Sequence, residues 1–195
     1  MNREDFAQYE KIFTEENHKV NLISKNDEKF LWEKHICDSL ALANFFDKYT
    51  IPKKLLDIGT GGGFPSVPVA IVYPQINVTA LDSIAKKIRA VETIKDTLKL
   101  KNLRPICKRA ENFDEKFDVV TSRAVSSLDK ICEYALPKLN KNGYFVAFKS
   151  KKIQEEINNA QKTLSKYKAE IVDIIEYTLP LEEKLERYLI VIKLK

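Results

Sequence analysis

A cluster of glycines follows the first strongly apolar segment in the middle of the chain. The segment Lys54–Ile58 runs directly into the sequence GTGGG at 59–63, and this turn holds four of the five glycines in the 195 residues. Glycine tolerates positive φ and allows a ligand to approach backbone N–H groups without a Cβ in the way. A strand that ends in such a turn is typical of a binding site for a nucleoside-containing cofactor.

The spacing of these glycines argues against two common nucleotide sites. The dinucleotide pattern G-x-G-x-x-G fails in both frames, because Phe64 or Ser66 occupies the place of its last glycine. No Gly-Lys-Ser or Gly-Lys-Thr follows the turn, so a phosphate-binding loop of the nucleoside triphosphatase type is also excluded. The remaining pattern is D-x-G-x-G-x-G, from Asp57 to Gly63.

Two aspartates complete this pattern. Asp82 follows a predicted strand at 77–81 and lies 23 positions after Gly59, where an acid accepts hydrogen bonds from ribose hydroxyls. Asp57 stands beside the turn, where its carboxylate can hold a ligand's ammonium group or brace the loop. A cofactor that carries an adenosine and an amino-acid tail, S-adenosylmethionine, fits these residues better than a dinucleotide does.

The elements that must position these residues alternate between strand and helix. Two amphipathic helices, at 3–16 and 28–49, come first. The predicted strands are 53–58, 77–81, 104–108, 117–122, 144–148, 170–178 and 187–194, and the later helices are 65–72, 84–100, 128–139 (closed by Asn142-Gly143) and 153–167. Alternation indicates a parallel sheet with right-handed crossovers. The last two strands have no room for a helix between them, so strand seven should run antiparallel to strand six.

Composition and length favour one compact α/β domain over residues 1–195, with an N-terminal helical segment at 1–50 and a cofactor-binding core at 51–195. The chain is 44% hydrophobic, and no apolar run approaches the roughly 20 residues of a membrane helix. Its N-terminus shows no signal peptide, so we expect a cytoplasmic protein. The cysteines Cys37, Cys107 and Cys132 are too far apart to suggest a disulfide framework or a metal site.

Positive charge is concentrated after the predicted strands. The net charge is only +5, but basic residues follow strands two, three and five: Lys86, Lys87, Arg89, Lys108, Arg109, Lys149, Lys151 and Lys152. The carboxyl ends of parallel strands share one edge of a sheet, where ligands bind. A basic rim at that edge indicates a phosphate-bearing substrate, although lysine-rich surfaces often serve only solubility.

Several motifs together resemble one family. The string LLDIGTGGGFPSVPVAI, the following ALDSIAKKIRAV and the S-R-A at 122–124 look like the RsmG proteins, also called glucose-inhibited division protein B. The resemblance also covers Asn21-Leu22, the H-x-x-D-S of His35, Asp38 and Ser39, and R-x-L-x-V-I-K at 187–193. It implies a class I methyltransferase with a Rossmann-like, seven-stranded, mostly parallel sheet whose last strand is antiparallel. It also implies S-adenosylmethionine-dependent methylation of N7 of a guanine in 16S ribosomal RNA.

The resemblance and the basic pattern assign roles to individual residues. The expected cofactor-binding residues are Asp57, Gly59, Gly61, Phe64, Asp82, Ser83, Ala110, Glu111 and Arg123. No essential catalytic group or metal is expected, and Arg123 and His35 are candidates for positioning the substrate. Arg89, Lys149 and Arg187 are candidates for contact with RNA phosphates. For the charged members of this set, the alternative is a solvated side chain or a surface salt bridge, and for His35 it is a packed helix residue.

The expected chemistry requires alignment more than acid or base catalysis. Guanine N7 carries an in-plane lone pair and no proton, so methyl transfer needs N7 in line with the sulfonium methyl and water kept out. The expected partner is 16S ribosomal RNA or a small-subunit assembly particle, bound by a monomer, with no DNA or membrane partner. A methyltransferase for a small molecule or a protein, a nucleoside-binding regulator without catalysis and a dehydrogenase are the alternatives.

Overall fold

The computed structural model describes residues 2–150, 153–182 and 185–195. Lys151 and Lys152 of the predicted basic rim lie outside the described residues. The helices and strands are α1 (Ala7–Val20), α2 (Lys25–Glu28), α3 (Cys37–Leu40), α4 (Leu42–Lys48), β1 (Lys54–Ile58), α5 (Ser66–Val72), β2 (Asn77–Asp82), α6 (Ala85–Leu98), β3 (Leu103–Cys107), β4 (Phe117–Arg123), α7 (Leu128–Ala135), β5 (Leu139–Lys149), α8 (Ile153–Lys166), β6 (Ala169–Thr178) and β7 (Glu186–Leu194).

The strands form one seven-stranded sheet in the order β3-β2-β1-β4-β5-β7-β6. Pairing is parallel from β3 through β5, and β7 is antiparallel to both β5 and β6. The predicted α/β class and the antiparallel last strand are therefore confirmed. From β1 the chain continues to β2 and β3 on one side of β1, and it then returns to add β4 on the other side of β1. The topological switch point therefore lies between β1 and β4. Ligands bind at the carboxyl edge of such a switch point.

Both faces of the central strands are buried, which explains their nearly continuous apolar sequence. The neighbours Leu55 and Leu56 of β1 are both fully buried but belong to different hydrophobic clusters, because successive side chains of a strand point to opposite faces. One cluster contains buried residues of α1, α4, α5 and α6, and the other contains those of α7 and α8. The helices thus hold the sheet, and the site at its edge, from two sides.

The N-terminal helical segment packs onto the first of these faces through aromatic rings. Phe13 of α1 lies 5.1 Å from Phe64 between ring centroids, and Phe45 of α4 lies 5.4 Å from Tyr144 of β5. Edge and tilted ring contacts of this kind add to the stabilisation from burial of apolar area. The segment is therefore placed against the glycine turn itself, since Phe64 is the residue that follows the last glycine.

The predicted continuous helix at 28–49 is wrong. The chain forms α2, a π-helical turn at Leu31–Ile36, and then α3 and α4. Leu31 and Ile36 are both buried and lie five positions apart. A wide i→i+5 turn brings residues at this spacing onto one face, whereas a regular α-helix with 3.6 residues per turn does not. The first helix also differs, because a 3-10 turn at Arg3–Phe6 precedes α1 and α1 extends to Val20.

The predicted boundary between the helix at 128–139 and the strand at 144–148 is wrong. The helix α7 ends at Ala135, a 3-10 turn contains Pro137, and β5 begins at Leu139 rather than at Tyr144. Proline lacks the N–H that a continuing helix needs. Asn142-Gly143 lies inside β5, where Asn142 has φ +62° and the pairing with β4 shifts register between Phe117 and Val119. The Asn-Gly pair marks a strand irregularity here and not a helix end.

Candidate functional site

The glycine turn leaves β1 and is fixed to the end of β2. The N–H groups of Gly59 and Thr60 donate to the carbonyl of Leu81 at 2.8 and 3.0 Å. Gly59 has φ +72°, and a Cβ on it would lie 2.4 Å from Cγ2 of Val125. Gly61 has φ +57°, but a Cβ there would meet only the carbonyl oxygen of Gly59, at an ordinary contact distance of 3.9 Å. The turn therefore requires glycine at 59 for both backbone and packing reasons, and at 61 for its backbone alone.

Asp82 holds the turn from the end of β2. Its Oδ2 accepts a hydrogen bond from the N–H of Gly61 and its Oδ1 accepts one from the N–H of Ile84, both at 2.9 Å. A carboxylate has about four lone-pair positions, so each oxygen keeps capacity for a further donor. Asp82 is thus a brace of the turn and also an acceptor at the rim of the adjoining cavity.

A cavity of about 400 Å³, which we call the glycine-turn crevice, opens beside this turn. It is lined by Ile58, Gly59, Gly61, Leu81, Asp82, Ser83, Ile84, Lys87, Lys108, Arg109, Ala110, Glu111, Ala124, Val125 and Tyr134. Ile84 and Val125 belong to the few large apolar side chains that the described residues expose, with 42% and 43% of their surface open. Apolar surface left open in a cavity lined by polar groups indicates a ligand.

Asp57 lies beneath the turn, not in this crevice. Its side chain is fully buried, and its Oδ2 accepts a hydrogen bond from the N–H of Ser66 at 3.3 Å. Burial raises the pKa of Asp57 to about 7. Within the described part of the chain, its Oδ1 has no hydrogen-bond partner. This geometry corresponds to the loop-bracing alternative rather than to contact with a ligand's ammonium group.

A second cavity of about 490 Å³, which we call the charged cavity, lies on the other side of the β4 end. Its walls come from the N-terminal segment, the loop after β4, the end of β5, and the α8, β6 and β7 elements. The lining residues are Asp27, Lys34, His35, Asp38, Arg123, Ala124, Ser126, Phe148, Lys149, Ser150, Glu156, Tyr177, Leu185 and Arg187. Charged and polar side chains dominate this list.

Arg123, the last residue of β4, is the centre of a polar network in the charged cavity. Its Nη1 donates to Asp38 Oδ2 at 2.8 Å and to the carbonyl of Lys34 at 3.1 Å. Tyr177 of β6 donates to the other oxygen of Asp38 at 2.7 Å. The side chains of Arg123 and Asp38 are only 14% and 8% exposed. The pair is therefore a buried, fully hydrogen-bonded link between three elements, not a surface salt bridge.

His35 packs between Arg123 and the glycine turn. Nδ1 of His35 lies 2.8 Å from Nη2 of Arg123, and its ring lies 5.1 Å from that of Phe64. A guanidinium can only donate, so Nδ1 is the acceptor and the proton of the neutral ring is on Nε2. Burial, together with the charge of Arg123, lowers the pKa of His35 to about 4. The guanidinium of Arg123 also lies over the ring of Phe64 at 5.2 Å.

Lys149 and Glu156 form the second ion pair of the charged cavity. Lys149 Nζ lies 2.5 Å from Glu156 Oε2 and donates to the carbonyl of Ser126 at 2.9 Å. Glu156 Oε2 also accepts from the N–H of Leu128 at 2.7 Å. The pair thus contacts both ends of the Ser126 to Leu128 segment, which follows β4.

One residue belongs to both cavities. Ala124 lines the glycine-turn crevice and the charged cavity, and it has φ +56°, a value that few residues other than glycine adopt. Backbone in this region is held by its surroundings and is frequent at functional sites. The two cavities therefore meet at Ala124.

Comparison with known proteins shows the family of this chain. The model of a family described as rRNA small subunit methyltransferase G, also called GidB, matches residues 2–185. The chain belongs to this family. A ribosomal RNA small subunit methyltransferase G from Desulfitobacterium hafniense is 42% identical over 185 residues, which cover 92% of this chain and 76% of that protein. The protein of the same name from Bacillus subtilis is 35% identical over 198 residues, covering 98% and 82% respectively.

Solved structures also share the fold of this family member. TrmN from Thermus thermophilus superposes with a TM-score of 0.64 at 15% identity, over 80% of this chain and 48% of that one. The TYW2 protein of M. jannaschii, solved in complex with AdoMet, gives a TM-score of 0.57 at 18% identity, over 72% and 67%. The class I methyltransferase fold is thereby confirmed.

The glycine-turn crevice fits S-adenosylmethionine, the cofactor of this methyltransferase. The carboxylate oxygens of Asp82 keep capacity to accept further hydrogen bonds. A Cβ on Gly61 would meet only the carbonyl oxygen of Gly59, at 3.9 Å, so the crevice has room beside this glycine. Ile84 and Val125 expose apolar surface in the same crevice. Among the described residues, no group of three or more His, Cys, Asp or Glu side chains is placed to hold a metal ion. Nor does any described helix have the length and apolarity that crossing a bilayer requires.

The predicted site residues fall into four groups. Gly59, Gly61, Asp82, Ser83, Ala110 and Glu111 line the crevice together, while His35, Arg123, Lys149 and Arg187 line the charged cavity. Asp57 and Phe64 are buried beneath both. Arg89 is exposed on α6 and lines neither of them. Cofactor contact by Arg123 stays a prediction, because the structure places its side chain on the cavity side of Ala124.

Sequence reasoning missed residues that the structure brings into the site. Val125 and Tyr134 of the crevice and Glu156 and Tyr177 of the charged cavity were not predicted to have a role. Asp38 stood in the H-x-x-D-S string, and its place three residues after His35 was a signal, since residues three apart share a helix face. For Tyr177 the sequence offers no comparable signal.

Proposed function

We propose that this protein transfers the methyl group of S-adenosylmethionine to N7 of a guanine in 16S ribosomal RNA. One observation carries the proposal: the glycine-turn crevice and the charged cavity meet at Ala124. A methyl donor in the crevice and a base in the cavity would then be neighbours. The relatives named as ribosomal RNA small subunit methyltransferases support RNA as the substrate.

The chain's own residues supply position and a dry environment. When bound, S-adenosylmethionine supplies an electrophilic methyl group on a sulfonium. Guanine N7 has a free lone pair, so no residue has to remove a proton. Asp82 and the glycine turn orient the donor, and Arg123, fixed by Asp38 and His35, shapes the wall on which the base lies. Alignment of two reactants at contact distance can account for a large part of the rate enhancement.

Basic residues around the two cavities suit an RNA chain. Arg187 lines the charged cavity and forms no ion pair with the residues that the structure describes. Lys108 and Arg109 are exposed on the rim of the crevice, and Lys86 and Arg89 are exposed on α6. The narrow major groove of A-form RNA hides N7, so the target guanine has to be unpaired or extruded. We expect a cytoplasmic monomer that acts on 16S RNA or on a small-subunit assembly particle.

The test is methyl transfer followed by mapping. Purified protein is incubated with tritium-labelled S-adenosylmethionine and either 16S RNA, small subunits or no RNA, and the product is located by mass spectrometry. We expect one 7-methylguanine in the RNA. Methyl transfer without RNA would support a small-molecule or protein methyltransferase, and cofactor binding without any transfer would support a regulator.

A variant of Asp82 tests the cofactor half of the proposal. Asp82→Asn should weaken S-adenosylmethionine binding about 10- to 100-fold, because a hydrogen bond to a charged group contributes about 1.5–3 kcal/mol. Asp96→Asn, an exposed acid at the other end of α6, is the matched control and should bind normally. If calorimetry gives Asp82→Asn and the wild type the same affinity for S-adenosylmethionine, a ribose contact by Asp82 is excluded.

A further inference from the structure

We propose that the Lys149–Glu156 pair reads the O6 and N1–H edge of the target guanine and so makes the charged cavity selective for guanine over adenine-like bases. This inference rests on the proposed function and assigns base recognition to two residues of the same site. Both side chains line the charged cavity, and Lys149 contacts the Ser126 carbonyl two residues from Ala124.

The burial of Lys149 argues for a role inside the cavity. Its side chain is only 10% exposed, and Nζ is held by Glu156 and Ser126. An ammonium fixed at this depth is badly placed to follow the phosphates of a flexible chain. It has three N–H donors, of which these partners use two, so one donor remains for a ligand.

Glu156 offers the matching acceptor. Its side chain is 25% exposed, and Oε2 is occupied by Lys149 and by the N–H of Leu128. None of the hydrogen bonds between described residues ends on Oε1. The pair therefore presents a donor next to an acceptor at the wall of a 490 Å³ cavity, a size typical of small-molecule sites.

This order of donor and acceptor fits one purine edge. Guanine has the acceptor O6 next to the donor N1–H, so O6 meets Lys149 and N1–H meets Glu156. Adenine has the donor N6–H₂ next to the acceptor N1, so both of its groups would face groups of the same kind. A site with polar groups placed for one pattern rejects the opposite pattern strongly, because those groups are left unpaired.

The same orientation of the base turns N7 away from Glu156. In guanine, N7 and N1 lie on opposite sides of O6. A base with N1–H at Glu156 and O6 at Lys149 thus has N7 pointing away from Glu156. Lys149 contacts Ser126, which is closer in the chain to Ala124 than Leu128, the contact of Glu156. In this proposal N7 therefore lies on the side of the base nearer to Ala124.

A structural role is the rival explanation, since the pair also ties down Ser126 and Leu128. The two explanations differ in substrate selectivity. We would measure kcat/KM with three RNAs that carry guanosine, inosine or 2-aminopurine at the target position. Inosine keeps O6 and N1–H, whereas 2-aminopurine has N7 but no O6 and has an unprotonated N1.

For the wild type, inosine should be used within about 3-fold of guanosine, and 2-aminopurine should be at least about 100-fold worse. Glu156→Gln preserves the shape of the side chain and an acceptor for Leu128, but its amide can also donate. We expect this variant to lose about 30-fold or more on guanosine and to discriminate against 2-aminopurine less than about 10-fold. Glu155→Gln, the exposed neighbour on α8, is the matched control and should behave as the wild type.

Three results would overturn the inference. If Glu156→Gln discriminates against 2-aminopurine as strongly as the wild type does, base reading by this pair is excluded and the proposed function is unaffected. A parallel loss of S-adenosylmethionine affinity and melting temperature in Glu156→Gln would establish the structural role. Rejection of inosine by the wild type would show that the N2 amino group is read instead. Absence of methylation of all three RNAs by the wild type would overturn the proposed function itself.

Discussion

The glycine-turn crevice and the charged cavity lie at the same edge of one sheet, yet they are built in different ways. The crevice is built around the glycine turn, from residues 58, 59, 61, 81–84, 87, 108–111, 124–125 and 134. The charged cavity is made largely by the charged and polar side chains of Lys34, His35, Asp38, Arg123, Lys149, Glu156, Tyr177 and Arg187. The crevice depends on conformations that glycine permits, and the cavity depends on pairs of opposite charges.

This difference determines how each region should respond to change. In the crevice, a substitution acts through steric fit and backbone strain, which are local. In the charged cavity, removing one partner leaves another buried charge without compensation, which affects the whole fold. The following predictions test this contrast, beginning with the largest expected effect.

Arg123→Ala should be the most damaging single change in the charged cavity. It leaves the carboxylate of Asp38, 8% exposed, without its counter-ion. Breaking a buried pair in this way costs about 3–5 kcal/mol in the free energy of unfolding, measurable by urea denaturation. The double variant with Asp38→Asn should recover part of the loss, because no buried charge remains. A loss below about 1 kcal/mol would show that the pair behaves like an exposed one.

Gly59→Ala should damage the crevice while sparing the cavity. The new Cβ would be 2.4 Å from Val125 Cγ2 at φ +72°, and overpacking of this kind costs about 1–3 kcal/mol. We expect S-adenosylmethionine affinity to fall about 10- to 100-fold in calorimetry. Gly61→Ala is the control, because it has positive φ but no close contact, and it should lose less. Equal effects of the two variants would indicate that strain alone governs the turn.

The two regions should also contribute opposite pH dependences to stability. Asp57 beneath the crevice keeps its proton up to about pH 7 in the folded protein, compared with a usual pKa of 3.8, so its contribution to stability falls as pH rises through this window. His35 in the cavity stays neutral down to about pH 4, compared with a usual 6.5, so its contribution rises with pH. Between about pH 4 and 6.5 the two oppose each other.

Single variants should separate these contributions. Asp57→Asn should become more stable as pH rises from 4.5 to 6.5, and His35→Gln should become less stable over the same range. The slope for one full proton is at most about 1.4 kcal/mol per pH unit. Unfolding free energies at three pH values are sufficient. Parallel curves for the two variants would refute the opposite signs.

Arg89→Ala should have the smallest effect, because this arginine lies outside both regions. An exposed charge near the RNA path should lower RNA affinity a few-fold and reduce the slope of log K against log salt by about 1, with cofactor binding unchanged. Arg104→Ala is the control, since Arg104 is near the start of β3, at the opposite edge of the sheet. An unchanged salt slope for Arg89→Ala would exclude Arg89 from the RNA contact.

The glycine-turn crevice could be predicted from the sequence to a greater extent than the charged cavity. The turn at 59–63 was predicted because its glycines directly follow a strand, and Asp82 was predicted because it stands at the end of the next strand, at the usual spacing from the turn. The boundary of β5 and the wide turn at Leu31–Ile36 were not predicted, because tertiary packing overrode the local pattern there. Arg123 was assigned a role through the resemblance, but its pairing with Asp38 and the hydrogen bond from Tyr177 to Asp38 were not predicted.

The amino-acid sequence by itself determined the order of strands and helices, the family and the crevice that S-adenosylmethionine fits, because these depend on local backbone rules and contiguous motifs. Only the tertiary structure decided that Arg123 pairs with Asp38, that Lys149 pairs with Glu156 and that Ala124 separates two cavities. Arg123 and Asp38 are 85 positions apart in the chain. Whether such charges are paired or solvated depends on how the sheet and helices pack, and no local pattern of residues contains that information.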